Sequence, residues 1–312
     1  MKRYIWKRLL HLIPILIGIT FMSFALMHTV STDTVDILYD QNGGANEAAA
    51  AARRASLGLD QDFFTQYAFW VVNILHGDMG TSFVSGMPVF TTIMDKLPAT
   101  LELMVMALGL TLLISLPLGI LAAIRKGSIW DQLVRLLSFT GNSLPDFFIA
   151  IILLYIFAVK WHVFSFLSTS SSMQPILPSL TLAIAMAAKY MRQIRAVFLD
   201  ELNKEYVQAA LSRGLSYRFV ITRYVLRSVL APLLALLAVS AGSLLGGAAI
   251  IESIFLWDGI GKLAVDAIMM RDYPIIQAYV IWMSVIYVGV NLLADIVCGF
   301  LDPRIAAREK ED

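Results

Sequence analysis

The chain contains little charge and a single cysteine, and both shortages exclude classes of protein. Only 15% of its 312 residues are Asp, Glu, Lys or Arg, whereas 58% are hydrophobic. A soluble domain carries about 25% charged residues and about half apolar ones. Because Cys298 is alone, neither an intrachain disulfide nor a thiolate metal cluster can form. The composition, with a mean hydropathy of +0.73, therefore predicts an integral membrane protein.

Signatures of catalysis and of metal binding are also missing. The segment 259–262 reads Gly-Ile-Gly-Lys, but it lacks the upstream glycine and the following Ser or Thr of a phosphate loop. With a net charge of +1, nothing indicates a nucleic-acid partner. We expect no enzymatic activity, no cofactor and no metal site in this chain, since its histidines are scattered without ligand spacing. They are His11, His28, His76 and His162.

Six apolar runs approach the roughly 20 residues that cross a bilayer's hydrocarbon core. They lie at about 9–30, 99–124, 139–160, 173–191, 229–254 and 275–299. With the N-terminus inside, 18 of the 24 Lys and Arg residues fall on the inner side, which satisfies the positive-inside rule. We therefore expect a multi-pass, all-α protein with both termini in the cytoplasm. Its predicted parts are a tail with the first helix (1–30), an extracytoplasmic segment (31–98), a transmembrane core (99–304) and a cytoplasmic tail (305–312).

A polar, basic segment from Lys189 to Pro232 interrupts the apolar runs, on the predicted cytoplasmic side. Its pattern is helix, break, helix. Residues 205–210 favour a helix, and Gly214 tolerates the left-handed conformation that ends one. Ser216 can cap a second helix that begins at Tyr217. Such order predicts a docking element, although a solvated amphipathic loop that merely supplies positive charge is the simpler alternative.

This segment resembles the EAA loop of ABC-importer membrane subunits, here Glu205-x3-Ala209-Ala210-x3-Gly214-Leu215. Other segments, in the same order along nearly the whole chain, resemble the dipeptide, oligopeptide and nickel permease family. They are Leu57-Gly-Leu-Asp60, Gly77-Asp-Met-Gly-Thr-Ser82, Pro88-Val89, Leu97-Pro-Ala-Thr-Leu-Glu-Leu103, Leu177-Pro178, Arg192-x2-Arg195, Ile251-Glu-Ser-Ile-Phe255, Arg271-Asp-Tyr-Pro274, Asn291-Leu-Leu-x-Asp295 and Leu301-Asp-Pro-Arg304. One such match is weak, but ten in order are specific.

The resemblance implies a type I ABC-importer fold, an all-α membrane protein with about six transmembrane helices and a cytoplasmic coupling-helix loop at 199–228. It implies two cytoplasmic ATPase subunits that bind ATP and Mg²⁺, a second homologous permease subunit and an extracytoplasmic solute-binding protein, besides membrane lipid, all in a bacterial inner membrane. Arg227 replaces a proline that many relatives carry, which favours a nickel or metallophore cargo; small peptides are the alternative. The residues expected to contact the ATPases are Glu205, Ala209, Ala210, Gly214, Leu215, Ser216 and Tyr217.

Polar residues and glycines within the apolar runs are further candidates. An ionisable side chain at membrane depth is usually functional or paired, so Glu102, Glu252, Asn291 and Asp295 are candidates for a translocation path. Capping, an interfacial position or an interhelical hydrogen bond explains them equally well. An ion-gradient-driven transporter with Glu252 and Asp295 as relay groups is the alternative from a different class. Helix packing is expected at Gly242, Gly246 and Gly247.

Overall fold

The computed structural model describes residues 2–28, 51–52, 54–55, 60–162 and 175–301, and these are mainly helical. Within them, extended pairing is limited to an isolated bridge between Thr81 and Pro88. The helices are α1 (Lys2–His28), α2 (Phe63–Leu75), α3 (Val89–Ile124), α4 (Ile129–Ser143), α5 (Asp146–Leu154), α6 (Ile176–Leu202), α7 (Glu205–Ser212), α8 (Tyr217–Val220), α9 (Leu226–Ile254), α10 (Ile260–Met270) and α11 (Tyr273–Leu301). Short π-helical turns extend α5 over Tyr155–Lys160 and join α8 to α9 over Ile221–Val225.

Two helices of the described chain are long and apolar enough to cross a membrane, namely α3 and the Tyr273–Ala294 part of α11. Two bent pairs raise the number to at most four, if each pair forms one span. The predicted third span, 139–160, stays a prediction, and it contains a bend of 100° between Ser143 and Asp146. Pro145 lies in this break; it lacks an N–H donor and disfavours helix at the residue before it. Six spans in total stay a prediction, as does the tail 305–312, which lies outside the described residues.

The chain divides into two compact units, which we describe separately. The central unit contains Leu101–Trp257 and the chain from Gly289 on, and the flanking unit contains Lys2–Thr100 and Asp258–Val288. In the central unit, α6 is the element around which the others pack. Its Ile194 and Phe198 are buried in one cluster with Val207 of α7 and Val225, which precedes α9. The polar segment 189–232 therefore packs against the hydrophobic core of the central unit and does not project from it as a free loop.

Glycines let two neighbours approach α6 closely. A Cβ added at Gly119 of α3 would lie 2.8 Å from Cγ2 of Ile194, and one at Gly141 of α4 would lie 2.7 Å from Cβ of Ala188. Helix packing in membranes commonly uses such small residues. The glycines predicted from sequence are different ones, and a Cβ at Gly246 would meet no atom within 4 Å. Among the described residues, no helix of this chain packs closely on that glycine.

The core of the flanking unit is formed by residues from three helices. Val89 and Ile93 at the start of α3 pack with Ile260 of α10 and Ile275 of α11. The hydroxyl of Thr100 accepts a hydrogen bond of 2.9 Å from the N–H of Ile260, at the first residue of α10. Segments separated by 160 residues in sequence thereby form one small core.

Candidate functional site

The helix–turn–helix of α7 and α8 has the local geometry that the sequence predicts. Gly214 adopts φ +82°, and its N–H donates to the carbonyl of Leu211 at 2.9 Å. The N–H of Leu215 donates to the carbonyl of Ala210 at 3.4 Å, which completes a Schellman motif at the end of α7. Ser216 Oγ accepts from the N–H of Phe219 at 3.4 Å and caps α8, which begins at Tyr217. The predicted left-handed glycine and the serine cap are confirmed.

Burial separates the predicted coupling residues into two groups. Ala210 belongs to the buried cluster beneath α7, so it holds the helix in place and does not face a partner. Glu205 and Ala209 lie on the exposed side of α7. Beyond the turn, Tyr217 and Phe219 are also exposed. The structure therefore presents a surface made of polar α7 residues and aromatic α8 residues, beside the exposed Leu215.

A buried carboxylate at Glu201, one turn before α7, supports this surface. Its Oε1 accepts a hydrogen bond of 2.7 Å from the hydroxyl of Tyr206, and its Oε2 lies 2.7 Å from Nζ of Lys204. Burial on its own raises the pKa of Glu201, but hydrogen bonds from Lys204, Tyr206 and Ser228, with the Lys204 charge, hold it below its ordinary value of 4.5. The carboxylate thus joins α6, α7 and α9. Sequence reasoning missed Glu201, although its i, i+3 spacing from Lys204 is a usable signal.

A second buried carboxylate, Asp131, joins the start of α4 to α6. Nε of Arg195 lies 2.6 Å from Oδ1, and Nη2 lies 3.0 Å from Oδ2. Oδ2 also accepts from the N–H of Gly127 at 2.9 Å. Asp131 was not predicted, but Ser128-x-x-Asp131 is a capping-box pattern, and Ser128 Oγ does accept from the N–H of Asp131. The turn after α3 is therefore connected to the helix that leads into α7.

In the flanking unit, two segments that carry the family resemblance meet through Asp272. Its Oδ2 accepts a hydrogen bond of 2.5 Å from the hydroxyl of Ser82, and its Oδ1 accepts one of 3.0 Å from the N–H of Phe83. Gly80 and Gly86 flank this contact, with φ of +74° and +72°. Asp272 thus holds the turn between α2 and α3 against the start of α11. Sequence reasoning identified both segments but not their contact.

The candidate path residues lie in unlike environments. Glu252 is completely buried in α9, whereas Glu102 is exposed on α3. Asn291 is half-buried on α11, and the side chain of Asp295, on the same helix, lies outside the described residues. A translocation role for these residues stays a prediction. Within the described part of the chain, His, Cys, Asp and Glu side chains form no group of three that could hold a metal ion.

Two family models match the chain. Residues 1–104 match the N-terminal model of the membrane component of binding-protein-dependent transport systems. Residues 115–307 match the model of the inner membrane component of such systems. Together the two matches cover nearly the whole chain.

Similar proteins of known role are permeases, and each match covers 98% of this chain and 99% of the relative. The dipeptide transport system permease protein DppB of Escherichia coli strain K12 is 32% identical. The glutathione transport system permease protein GsiC of Salmonella typhimurium strain LT2 is 34% identical. The oligopeptide transport system permease protein AppB of Bacillus subtilis strain 168 is 36% identical.

A solved structure supports the fold. A chain of the MetNI methionine ABC transporter in an inward-facing conformation matches with a TM-score of 0.58 and 15% sequence identity. The match covers 68% of this chain and 97% of that one. The match confirms the expected type I importer fold. Because the sequence identity is only 15%, it supports no conclusion beyond the fold.

Proposed function

Because the chain belongs to the family of inner membrane components of binding-protein-dependent transport systems, we propose that it forms part of the import path for short peptides. The chain is a permease subunit of an ABC importer, and ATP hydrolysis belongs to separate ATPase subunits. Import of this kind also depends on a solute-binding protein. The family membership excludes the ion-gradient-driven alternative.

We assign contact with the ATPases to the exposed surface of α7 and α8. The main support is that this surface exposes two aromatic side chains, Tyr217 and Phe219. They lie on a helix pair whose opposite side is buried against α6. Large aromatic side chains that anchor in a partner's groove dominate many interfaces. Because Glu201 joins α7 to α6, a displacement of α7 by the ATPases is passed to the helices of the central unit. ATP and Mg²⁺ are bound by two partner subunits in this proposal, and both termini lie in the cytoplasm.

Alanine substitution of the exposed aromatics tests the coupling surface. Tyr217→Ala and Phe219→Ala each remove an exposed ring, so the chain itself is expected to reach the membrane at its normal level. Uptake and co-purification of the ATPase subunits are expected to fall at least tenfold, the effect of losing an interface anchor worth about 2 kcal/mol. Tyr155→Ala, an exposed aromatic elsewhere in the central unit, is the matched control. Normal uptake in both α8 variants would assign the ATPase contact to another surface.

Peptides are the proposed cargo because relatives that transport a dipeptide, glutathione or oligopeptides are 32% to 36% identical over nearly the whole chain. The nickel or metallophore cargo that the sequence favours stays a prediction. Cells that express the complete transporter are supplied with labelled dipeptide, labelled glutathione, or labelled nickel with and without a chelator. We expect competition between the peptides and no saturable nickel uptake. Nickel uptake alone would reverse the assignment.

A second permease subunit completes the path in this proposal. The exposed Gly246 of α9, on which no described helix of this chain packs closely, suits a seam between two subunits. Gly246→Leu is expected to weaken co-purification of the second subunit, and Gly18→Leu is the matched control, because a Cβ there also meets no atom within 4 Å. The extracytoplasmic turn held by Asp272 would contribute to the surface that receives the binding protein.

A further inference from the structure

Helix α2 has a composition unlike that of a water-exposed segment. Its sequence FFTQYAFWVVNIL contains no charged residue, and the helix buries none of its side chains. Phe64 is 70% exposed, Phe69 64% and Leu75 80%. With 13 residues, the helix is about 20 Å long at 1.5 Å per residue, too short to cross a bilayer. An apolar, uncharged helix of this length on a protein surface needs another environment to cover it.

The side chains of α2 separate into three faces. One face packs on α1, where Phe63 and Tyr67 contact Phe24 edge-on, with ring centroids 5.3 Å and 5.4 Å apart. A second face is apolar and exposed, and it consists of Phe64, Ala68, Val72 and Leu75; the exposed Phe69 lies about 100° from the centre of this face, next to Asn73. The third face is polar, because successive residues are about 100° apart and Gln66 and Asn73 lie roughly 150° from the centre of the 64–68–72–75 stripe. Such a helix has an apolar and a polar side in addition to the side that contacts α1.

The contacts of α2 fix its level along α1. Its first residue, Phe63, also packs against His28, the last residue of α1, with ring centroids 5.3 Å apart. The hydroxyl of Tyr67 lies 3.2 Å from that of Thr20, two turns earlier. Since the hydroxyl of Tyr67 also lies 3.5 Å from the carbonyl of Ile17, the first two turns of α2 lie beside the last three turns of α1, within about 17 Å of its end, roughly the depth of one leaflet. Amphipathic interfacial helices are buried to a depth of about 5–10 Å in the boundary between headgroups and acyl chains.

We propose that α2 is an interfacial helix that lies in the outer leaflet of the membrane, with Phe64, Val72 and Leu75 in lipid and Gln66 and Asn73 towards water. The proposal rests on the proposed function, in which α1 crosses the membrane with its C-terminal end outside. The neighbouring helix α1 also exposes apolar side chains, among them Ile17 and Met22. Tyr67 and Trp70 add the aromatic side chains that are enriched at membrane interfaces. The segment 31–98, predicted as wholly extracytoplasmic, would then be partly embedded.

Site-directed spin labelling tests the two faces of α2 that do not contact α1. Cys298 is the chain's single cysteine, so Cys298→Ser gives a background for labels introduced one at a time by Val72→Cys, Leu75→Cys, Gln66→Cys and Asn73→Cys. The complete transporter is reconstituted in vesicles of phosphatidylethanolamine and phosphatidylglycerol. Collision rates of each nitroxide are measured with molecular oxygen, which concentrates in lipid, and with chromium oxalate, which stays in water. Leu113→Cys, exposed on the membrane-spanning helix α3, is the reference for lipid.

We expect the oxygen-to-oxalate ratio to lie above one at residues 72, 75 and 113, and below one at residues 66 and 73. A ratio below one at all four α2 positions would overturn the proposal, because the helix would then lie in water. Protection of residues 72 and 75 from both reagents would overturn it too and would indicate a protein partner on this face. Peptide uptake by the same variants is measured separately, so a lost cargo assignment and a wrong helix position give different results.

Discussion

Two buried aspartates each join distant parts of the chain, but they do so with different partners. Asp131 in the central unit is bound by the guanidinium of Arg195, 64 residues away. Asp272 in the flanking unit accepts hydrogen bonds from the hydroxyl of Ser82 and the N–H of Phe83, 190 and 189 residues away. One contact is an ion pair, and the other uses neutral donors.

The difference determines how much stability is lost when one partner of each contact is removed. A buried ion pair is a weak net contributor while it is intact, but the loss of one partner leaves an uncompensated charge and costs about 3–5 kcal/mol. A hydrogen bond from a neutral donor to a carboxylate contributes about 1.5–3 kcal/mol, and its loss leaves no second charge behind. The ion pair suits the central unit, where α6 leads into the helix pair proposed to contact the ATPases and a displaced α6 should carry α4 with it. The hydrogen-bonded turn of the flanking unit needs only to hold its shape.

The largest effect is expected for Asp131→Asn, which leaves the Arg195 charge without its carboxylate. Because Arg195 is 20% exposed, we expect the free energy of unfolding to fall by about 3 kcal/mol, the lower end for a broken buried pair. Arg135→Gln is the control, since Arg135 lies 3.6 Å from the same carboxylate but is 56% exposed, and its loss should cost less than about 1 kcal/mol. Denaturant unfolding of the purified transporter compares the two. Equal losses would show that burial does not distinguish the two arginines.

An intermediate effect is expected for Ser82→Ala. It removes the hydroxyl that donates to Asp272 and leaves the N–H of Phe83 as a donor, so the free energy of unfolding should fall by about 2 kcal/mol. The apparent affinity for the binding protein, measured by stimulation of ATP hydrolysis, should fall with it. Ser82→Thr retains the hydroxyl and should restore both properties. If Ser82→Thr behaved like Ser82→Ala, space and not the hydrogen bond would govern this turn.

Local signals in the sequence predicted the helix–turn–helix well, because Gly214 and Ser216 act through their own backbone neighbourhood. Composition, charge asymmetry and the ten family segments likewise sufficed for the fold class and the permease function. The contacts of Asp131 and Asp272 could not be predicted in this way. Each joins segments far apart in the chain, and no periodicity within one helix encodes a partner 64 or 190 residues away.

Packing decided the other differences. Ala209 and Ala210 look alike in the sequence, yet only the structure shows that Ala210 is in the core and Ala209 on the surface. Gly119 and Gly141 make close helix contacts that sequence reasoning missed, because the identity of the facing helix determines which glycine is needed; packing at Gly242, Gly246 and Gly247 stays a prediction. The chain bends at Pro145 within the predicted third span, an effect on helix geometry that the apolar composition of 139–160 conceals.

Glu201 combines both kinds of donor, a charged lysine and neutral hydroxyls, and its smaller effect should depend on pH. Because its pKa is lowered in the folded protein, its contribution is fully present above pH 4.5 and is lost as pH falls through the lowered pKa. Glu201→Gln should reduce stability by about 1 kcal/mol at neutral pH and flatten the dependence on pH in the acidic range. Thermal unfolding of both proteins against pH measures this. The idea fails if both proteins lose stability in parallel on acidification.

The smallest effect is expected for an exposed ion pair in the flanking unit. Nζ of Lys96 lies 2.6 Å from both carboxylate oxygens of Asp258, a geometry as short as that of Asp131 with Arg195. Lys96 is 27% and Asp258 76% exposed, however, so water and salt screen the charges. We expect Lys96→Met to cost less than about 1 kcal/mol, and the cost should shrink further at high salt. The penalty of Asp131→Asn should persist at the same salt, since burial protects that pair from screening. A salt-insensitive loss of several kcal/mol in Lys96→Met would mean that distance, and not burial, sets the strength of the ion pairs in this protein.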